Sequence, residues 1–260
     1  MKSFDDLVDG LRGLGLRSSP EALRAFLDHA TKSRASPAQT CELLVDLERR
    51  ERERRNLARR QKNAALGVFS PLDRFDWSHP RSIDRALFDQ LASLDFLRRG
   101  ENVLLRGQSG VGKTTLAQNL GLLALQSGYT VRFATLAAAI ADLLRQESLP
   151  ALERRFRRYT RPDLLILDEI GYLPCDARSA DLFFNIVSRR HEKRSIVLTT
   201  NLAFKDWSSI FPGAACVVAL VDRFVQHCHV LDIDADSWRQ KHARTEPHSP
   251  KPPTSKKTRP

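Results

Sequence analysis

Gly107-Gln108-Ser109-Gly110-Val111-Gly112-Lys113-Thr114 satisfies the pattern G-x-x-x-x-G-K-[ST]. It follows an apolar run, Asn102 to Arg106, and precedes apolar positions at helical spacing through Leu116, Leu120, Leu123 and Ala124. Strand, glycine loop and helix in that order form a phosphate cradle: the glycines permit a tight turn, loop amides converge on phosphate oxygens, and the helix contributes its N-terminal dipole. Lys113 is positioned to neutralise the β- and γ-phosphates and Thr114 to ligate Mg²⁺, so ATP and Mg²⁺ are the expected ligands. The binding stretch is read as Gly107, Gln108, Ser109, Gly110, Val111, Gly112, Lys113, Thr114 and Thr115.

Further along, Leu164-Leu165-Ile166-Leu167 delivers Asp168 and Glu169 at the end of a buried strand. Asp168 is expected to hold the metal with Thr114, and Glu169 to polarise an attacking water. A carboxylate beside the metal ligand favours hydrolysis over transfer to a second substrate. Ser195 to Thr200 forms another β-rich run, ending at Asn201. If that strand lies between the two preceding ones, Asn201 reaches the lytic water or the γ-phosphate; otherwise it is an ordinary turn residue. Arg223, on a helix before the last strand, either pairs within its own subunit or reaches a neighbour's site as a charge-stabilising cation. The expected catalytic set is therefore Lys113, Asp168, Glu169, Asn201 and Arg223.

Around this site the chain alternates short apolar runs with helix-length segments, which predicts a three-layer α/β domain with a five-stranded parallel sheet. The predicted strands are Asn102 to Arg106, Tyr129 to Ala134, Leu164 to Leu167, Ser195 to Thr200 and Val230 to Ile233. Before it, Ser19-Pro20 and Ser36-Pro37 are helix starts, giving a small all-α domain over 1–66. A connector over 67–82 is anchored by Phe75 and Trp77, the α/β domain covers 83–240, and a basic, Pro-rich tail covers 241–260. Only 27 residues follow Ile233, so no C-terminal helical lid is expected.

The 260 residues carry 42 Lys plus Arg against 31 Asp plus Glu, a net charge of +11. That surplus sits in two places. Arg49, Arg50, Arg52, Arg54, Arg55, Arg59, Arg60 and Lys62 form a basic run on the third helix, and the tail holds the rest. Each is either a solvated face or a grip on a polyanion such as DNA. No apolar run is long enough to span a membrane and the first ten residues lack a signal-peptide core, so a cytoplasmic protein without a membrane partner is expected. Cys41, Cys175, Cys216 and Cys228 have neither disulfide-framework nor metal spacing and are read as buried thiols.

The ordered series resembles the IstB-like ATP-binding proteins, transposition helper ATPases of insertion sequences related to DnaC-type helicase loaders within the AAA+ superfamily. It comprises the Arg-rich helix, Phe75-Asp76-Trp77, the glycine loop, Leu164 to Gly171, and Arg189-Arg190 followed by Thr199-Thr200-Asn201. Trp207 with Phe211, Asp222-Arg223 and Ser237-Trp238-Arg239 complete it. The resemblance implies a P-loop AAA+ core, with Asp168 and Glu169 as the Walker B pair, Asn201 as first sensor and Arg223 as arginine finger. It also implies an ATPase that assembles on double-stranded target DNA and recruits or stimulates a cognate transposase, with ATP sites at the interfaces of a homo-oligomer. A helicase-loader or replication-initiation role is the alternative. Thr115 stands where family members commonly have His, and Trp238 where they have Tyr.

Overall fold

The computed structural model describes residues 3–171, 176–211 and 215–238. The tail of 241–260, Arg239, Cys175, Pro212 and Gly213 lie outside the described residues. The chain divides into two compact units, Met1–Ala64 and Ala65–Pro260, each taken by itself below.

Helices α1 (Phe4–Gly13), α2 (Pro20–Lys32) and α3 (Pro37–Ala64) form the first unit. Every start is capped. Ser3 and Asp6 exchange reciprocal bonds of 2.9 and 3.1 Å, Ser19 Oγ accepts from Ala22 N, and Ser36 and Gln39 repeat the reciprocal pattern. Val8, Leu23 and Ala30 are buried. The third helix ends at Ala64, because Ala65 turns left-handed (φ +55°) and breaks the i→i−4 ladder.

Glu48, on α3, fastens this unit. It is buried and accepts from Arg17 N (2.8 Å), Ser18 N (3.0 Å), Ser18 Oγ (2.8 Å), Arg52 Nε (2.8 Å) and Arg55 Nη2 (3.2 Å). Burial pushes its carboxyl up, but the bonds from Arg52, Arg17 and Ser18 outweigh that and bring it from 4.5 down to about 2.

In the second unit a six-stranded sheet is ordered β1-β6-β2-β5-β4-β3. The chain runs β1 (Ser82–Ile83), α4 (Arg85–Ala92), α5 (Asp95–Arg99), β2 (Asn102–Gly107), α6 (Lys113–Gln126), β3 (Val131–Thr135), α7 (Leu136–Leu144) and α8 (Leu149–Thr160). It continues through β4 (Leu164–Ile170), α9 (Ala177–Arg190), β5 (Ser195–Thr200), α10 (Trp207–Ile210), α11 (Val217–Val225) and β6 (Cys228–Asp234). The five expected strands are all present and mutually parallel. The sixth, β1, is a two-residue edge strand paired antiparallel through Ser82↔Asp234 and Ile83↔Ile233, too short to leave a period in the sequence. Helix α6 packs on one face of the sheet with α4 against it, and α7, α8, α9 and α11 close the core on the other. Val103 to Leu105 and Leu164 to Leu167 are fully buried, as strands covered on both faces must be.

Arg190, at the end of α9, is also fully buried. Its guanidinium donates to the carbonyls of Tyr159, Thr160, Pro162, Asp163 and Ser195 at 2.6–3.3 Å, binding the end of α8 and the starts of β4 and β5. Burial lowers its pKa to about 9, which leaves it charged at neutral pH. Of the thiols read as buried, Cys41 is exposed and Cys216 and Cys228 are half-buried. No helix among the described residues is long and apolar enough to cross a membrane.

Replacing Glu48 with Ala is expected to destabilise the helical unit by roughly 3 kcal/mol, since it strands the groups that converge on the carboxylate. Faster hydrogen exchange at the Val8 and Leu23 amides is the readout. Because the folded pKa is the lower one, Glu48 stabilises fully above about pH 4.5, and its contribution fades as pH falls toward about 2.

Candidate nucleotide-binding site

The loop between β2 and α6 folds because three positions exclude a side chain. A Cβ on Gly107 would collide with the carbonyl oxygen of Ile233, and one on Gly110 (φ +82°) with Ser237 Oγ. Gly112 (φ +97°) lies against the Phe75 ring, where a Cβ would come within 2.6 Å. Lys113 then opens α6, whose first amides have no intrahelical partner and face the loop. Its buried ammonium donates to Gly107 O (2.8 Å) and Gln108 O (2.7 Å). Thr114 Oγ1 donates toward the Asp168 carboxylate, 3.0 Å from each oxygen.

Strand β4 does not continue regularly into its acids. Pairing with β5 runs in register to Leu167↔Leu198 and resumes at Ile170↔Thr200, so Asp168 and Glu169 occupy a bulge. Glu169 is left-handed (φ +63°), a conformation that costs about 1 kcal/mol or more for a residue bearing a Cβ. The bulge separates the two carboxylates. Asp168 is 4% exposed and faces Thr114, whereas Glu169 is exposed along the cleft. One hydroxyl joins them: Thr199 Oγ1 accepts the Glu169 N–H at 3.0 Å and donates to Asp168 Oδ1. Sequence reading missed the role of Thr199. The clue lay in the neighbouring strand, and it required knowing that β5 sits between β2 and β4, as it does.

These groups line a cleft of about 340 Å³. Ser109 to Thr115, Glu169, Thr199 and Thr200 form its phosphate-loop side, while Ser70, Arg74, Phe75, Asp76, His79 and Trp238 form the rest. Trp77 is the connector's anchor, packed at 5.2 Å on Phe88 with Arg85 over its ring. Phe75, expected as a second anchor, instead turns edge-on to Trp77 and faces the cleft. Opposite, Trp238 meets His79 edge-to-face at 4.7 Å and donates its backbone N–H to Gly110 O at 3.1 Å. His79 Nε2 also lies 2.9 Å from Asp236 O. Flat, partly apolar walls beside a phosphate loop suit a nucleobase.

The remaining expected residues fall elsewhere. Gln108 and Asn201 line an adjoining open depression with Arg106, Asp206, Asp232 and Asp234. Arg223 is outside its own cleft: its guanidinium bonds Ser188 Oγ and lies 4.9 Å over the Phe184 ring, and it makes no ion pair with Asp222 among the described residues. In the helical unit, Arg52 and Arg55 are engaged by Glu48, Arg54 by Glu51 at 2.8 Å, Arg49 by Asp46 at 3.6 Å and Arg59 by Asn56 at 3.4 Å. Arg50 and Lys62 are exposed.

The donor set can be tested against the expected ligands. Thr114, Asp168 and Thr199 bring only oxygen atoms together beside the phosphate loop, the chemistry a hard cation such as Mg²⁺ takes up. The glycines let the loop lie hard against Ile233, Ser237 and Phe75, and the Lys113 ammonium rests on loop carbonyls beside the first amides of α6, a cation and N–H groups suited to a triphosphate.

Comparison with known proteins agrees with this chemistry. An insertion sequence IS21 ATP-binding protein of Pseudomonas aeruginosa is 37% identical over 222 residues, covering 85% of this chain and 84% of that one. An IS232 counterpart from Bacillus thuringiensis is 34% identical over 239 residues, covering 92% and 96%. Among solved structures, AMPPCP-bound DnaA from Aquifex aeolicus superposes with a TM-score of 0.54 at 22% identity, over 70% of this chain and 55% of that one, a likeness of fold. The family model described as IstB-like ATP binding protein matches residues 10–246, and with relatives this similar over most of its length the chain belongs to that family.

Proposed function

We propose that the chain is a Mg²⁺-dependent ATPase that works on DNA in the cytoplasm as the helper of an insertion-sequence transposase. The observation that carries the catalytic part is the joined set Thr114, Asp168, Thr199 and Glu169 at the phosphate loop. The triphosphate lies along the amides from Ser109 to Thr115, and Lys113 turns from the loop carbonyls to the β- and γ-phosphates. Thr114 and Asp168 would hold Mg²⁺, which would supply neutralisation of the charge on the phosphate oxygens. Glu169 takes the proton of the attacking water, whose oxygen bonds the γ-phosphorus as the bond to the bridging oxygen breaks and ADP leaves with that electron pair. Thr199 holds the Asp168 carboxylate in place and anchors Glu169 at its main chain. Phe75, His79 and Trp238 enclose the base.

Asn201 is assigned to the γ-phosphate or lytic water, and Arg223 to the site of an adjacent subunit. Support for a homo-oligomer comes from α11 itself: Val218 (81% exposed) and Val225 (39% exposed), on the same helix as Arg223, form an apolar stripe of the kind a second copy covers. The basic run of α3 contacts phosphates of double-stranded DNA. Arg52 and Arg55 are committed to the buried Glu48, so the remaining cations of the run, Arg49, Arg50, Arg54, Arg59, Arg60 and Lys62, carry most of that contact. The transposase partnership is supported by the names of the relatives, which favour it over the helicase-loader reading that the same fold would serve.

Glu169→Gln is expected to keep ATP affinity while cutting turnover by about 100-fold or more, whereas Lys113→Ala loses affinity as well; nucleotide binding and phosphate release measured on the same preparations separate the two. Arg223→Ala alone is expected to bind ATP and turn over slowly. Mixing it with Glu169→Gln subunits restores activity at interfaces that pair an intact Glu169 with an intact Arg223, and no recovery in verified mixed oligomers rules out action in trans. The gene beside this one is expected to encode a transposase, which co-purifies with the full chain in the presence of ATP and DNA; a replication operon in its place supports the loader role.

A further inference from the structure

Helix α11, which carries Arg223, ends without a glycine. Gln226 after its last residue stays right-handed (φ −47°, ψ −40°), so no left-handed cap closes the final turn. Only the Asp222 carbonyl is answered locally, by the Gln226 N–H at 3.1 Å. The two carbonyls that follow are answered from other elements. His191, the residue that closes α9, brings Nδ1 to 3.1 Å from Arg223 O, and Asn102, the first residue of β2, donates from Nδ2 to Phe224 O at 3.0 Å. A carbonyl can only accept, so the imidazole carries its proton on Nδ1.

Asn102 is itself held on the other side. Its Oδ1 accepts the Ile196 N–H of β5 at 3.0 Å and its backbone N–H donates to His227 O at 2.7 Å, which leaves the buried amide a single orientation. The side chain thus joins the starts of β2 and β5 to the last turn of α11. At its far end β2 reaches Gly107 and becomes the phosphate loop, about 17 Å away at the usual rise of a strand. One strand carries the subunit's own nucleotide loop at one end and the footing of Arg223 at the other.

The Arg223 guanidinium rests on α9 against neutral groups, the Ser188 hydroxyl and the Phe184 ring at 4.9 Å, and meets no carboxylate among the described residues. Its charge is therefore uncompensated, and where so long a side chain reaches depends on how firmly its backbone is held. We infer that Asn102, together with His191, is a positioning residue for Arg223: by fixing the last turn of α11 it aims the guanidinium at the γ-phosphate bound to an adjacent subunit. The inference rests on the proposal that Arg223 acts in trans, and it adds that this cation is set from the strand that bears the subunit's own phosphate loop. A defect at either cap then appears in the neighbour's site and leaves the subunit's own site intact.

The test compares Arg223→Ala, Asn102→Asp, His191→Ala and His191→Asn in the full chain with ATP, Mg²⁺ and duplex DNA. Asn102→Asp keeps the acceptor for Ile196 N and loses the donor to Phe224 O, while His191→Asn keeps a donor near the place of Nδ1. Each variant is measured alone for ATP affinity and turnover, and for turnover in verified mixed oligomers with Glu169→Gln, whose Arg223 and both caps are intact. Asn102→Asp and His191→Ala are expected to bind ATP as the wild type does and to turn over about 10-fold more slowly, the scale of a small misplacement of a charge-stabilising group. His191→Asn regains most of the rate, and mixing either slow variant with Glu169→Gln raises turnover above that of both components. If mixing rescues Arg223→Ala but neither cap variant, or if either cap variant turns over like the wild type, the inference is refuted and action in trans stands. A loss of ATP affinity in the folded cap variants also refutes it, since the defect then lies in the subunit's own site. Should Asn102→Asp fail to fold, the two His191 variants decide by the same outcomes. No rescue of Arg223→Ala in verified mixed oligomers overturns both readings.

Discussion

A single hydroxyl holds the chemistry in place. Thr199 accepts the backbone N–H of Glu169 and donates to Asp168, thereby tying the acids of β4 to the adjoining strand β5. That bond depends on the order of the sheet. Because β5 lies between β2 and β4, the phosphate loop, Thr199 and the acid pair open onto one end of three adjacent strands. The bulge and the left-handed Glu169 form the second constraint: regular alternation would send neighbouring carboxylates to opposite faces of the sheet, and the extra residue releases both at its end. Backbone strain of this kind persists only where surrounding contacts over-determine it, and here strand pairing on either side of the bulge supplies them.

The parts of the molecule written in local pattern were legible in the sequence. The glycine loop is local because its spacing of Gly, Lys and Thr is contiguous in the chain, even though the glycines are packed by residues far away, and the central strands β2, β4 and β5 are local because burial on both faces makes them largely apolar. What escaped was set by residues far apart in the chain. The pairing of Ser82 and Ile83 with the end of β6 leaves no periodic trace in two residues. Phe75 and Trp77 read alike as anchors, yet one packs on Phe88 and the other faces the cleft, a distinction made by where Gly112 falls. Trp238 joins the cleft through a backbone bond to Gly110, a partner far away in the chain that nothing in its own neighbourhood signals.

Arginine illustrates why counting charge is a weak guide to partners. Arg190 spends its charge on five carbonyls inside the protein, where no polyanion can reach it. Arg52 and Arg55 lie within the most basic run of the sequence, but they serve Glu48. Conversely, α8 belongs to a domain whose charges nearly balance, yet its acids are consumed on the flanks. Formal charge states how many cations exist; geometry determines which of them remain available to a partner.

The segment that enters the ATPase unit and the segment that leaves it touch at the mouth of the cleft. His79 and Arg81 both engage Asp236, His79 meets the ring of Trp238, and Trp238 in turn holds Gly110. One wall of the cavity is therefore built from two stretches of chain some 155 residues apart, fastened to each other as well as to the glycine loop.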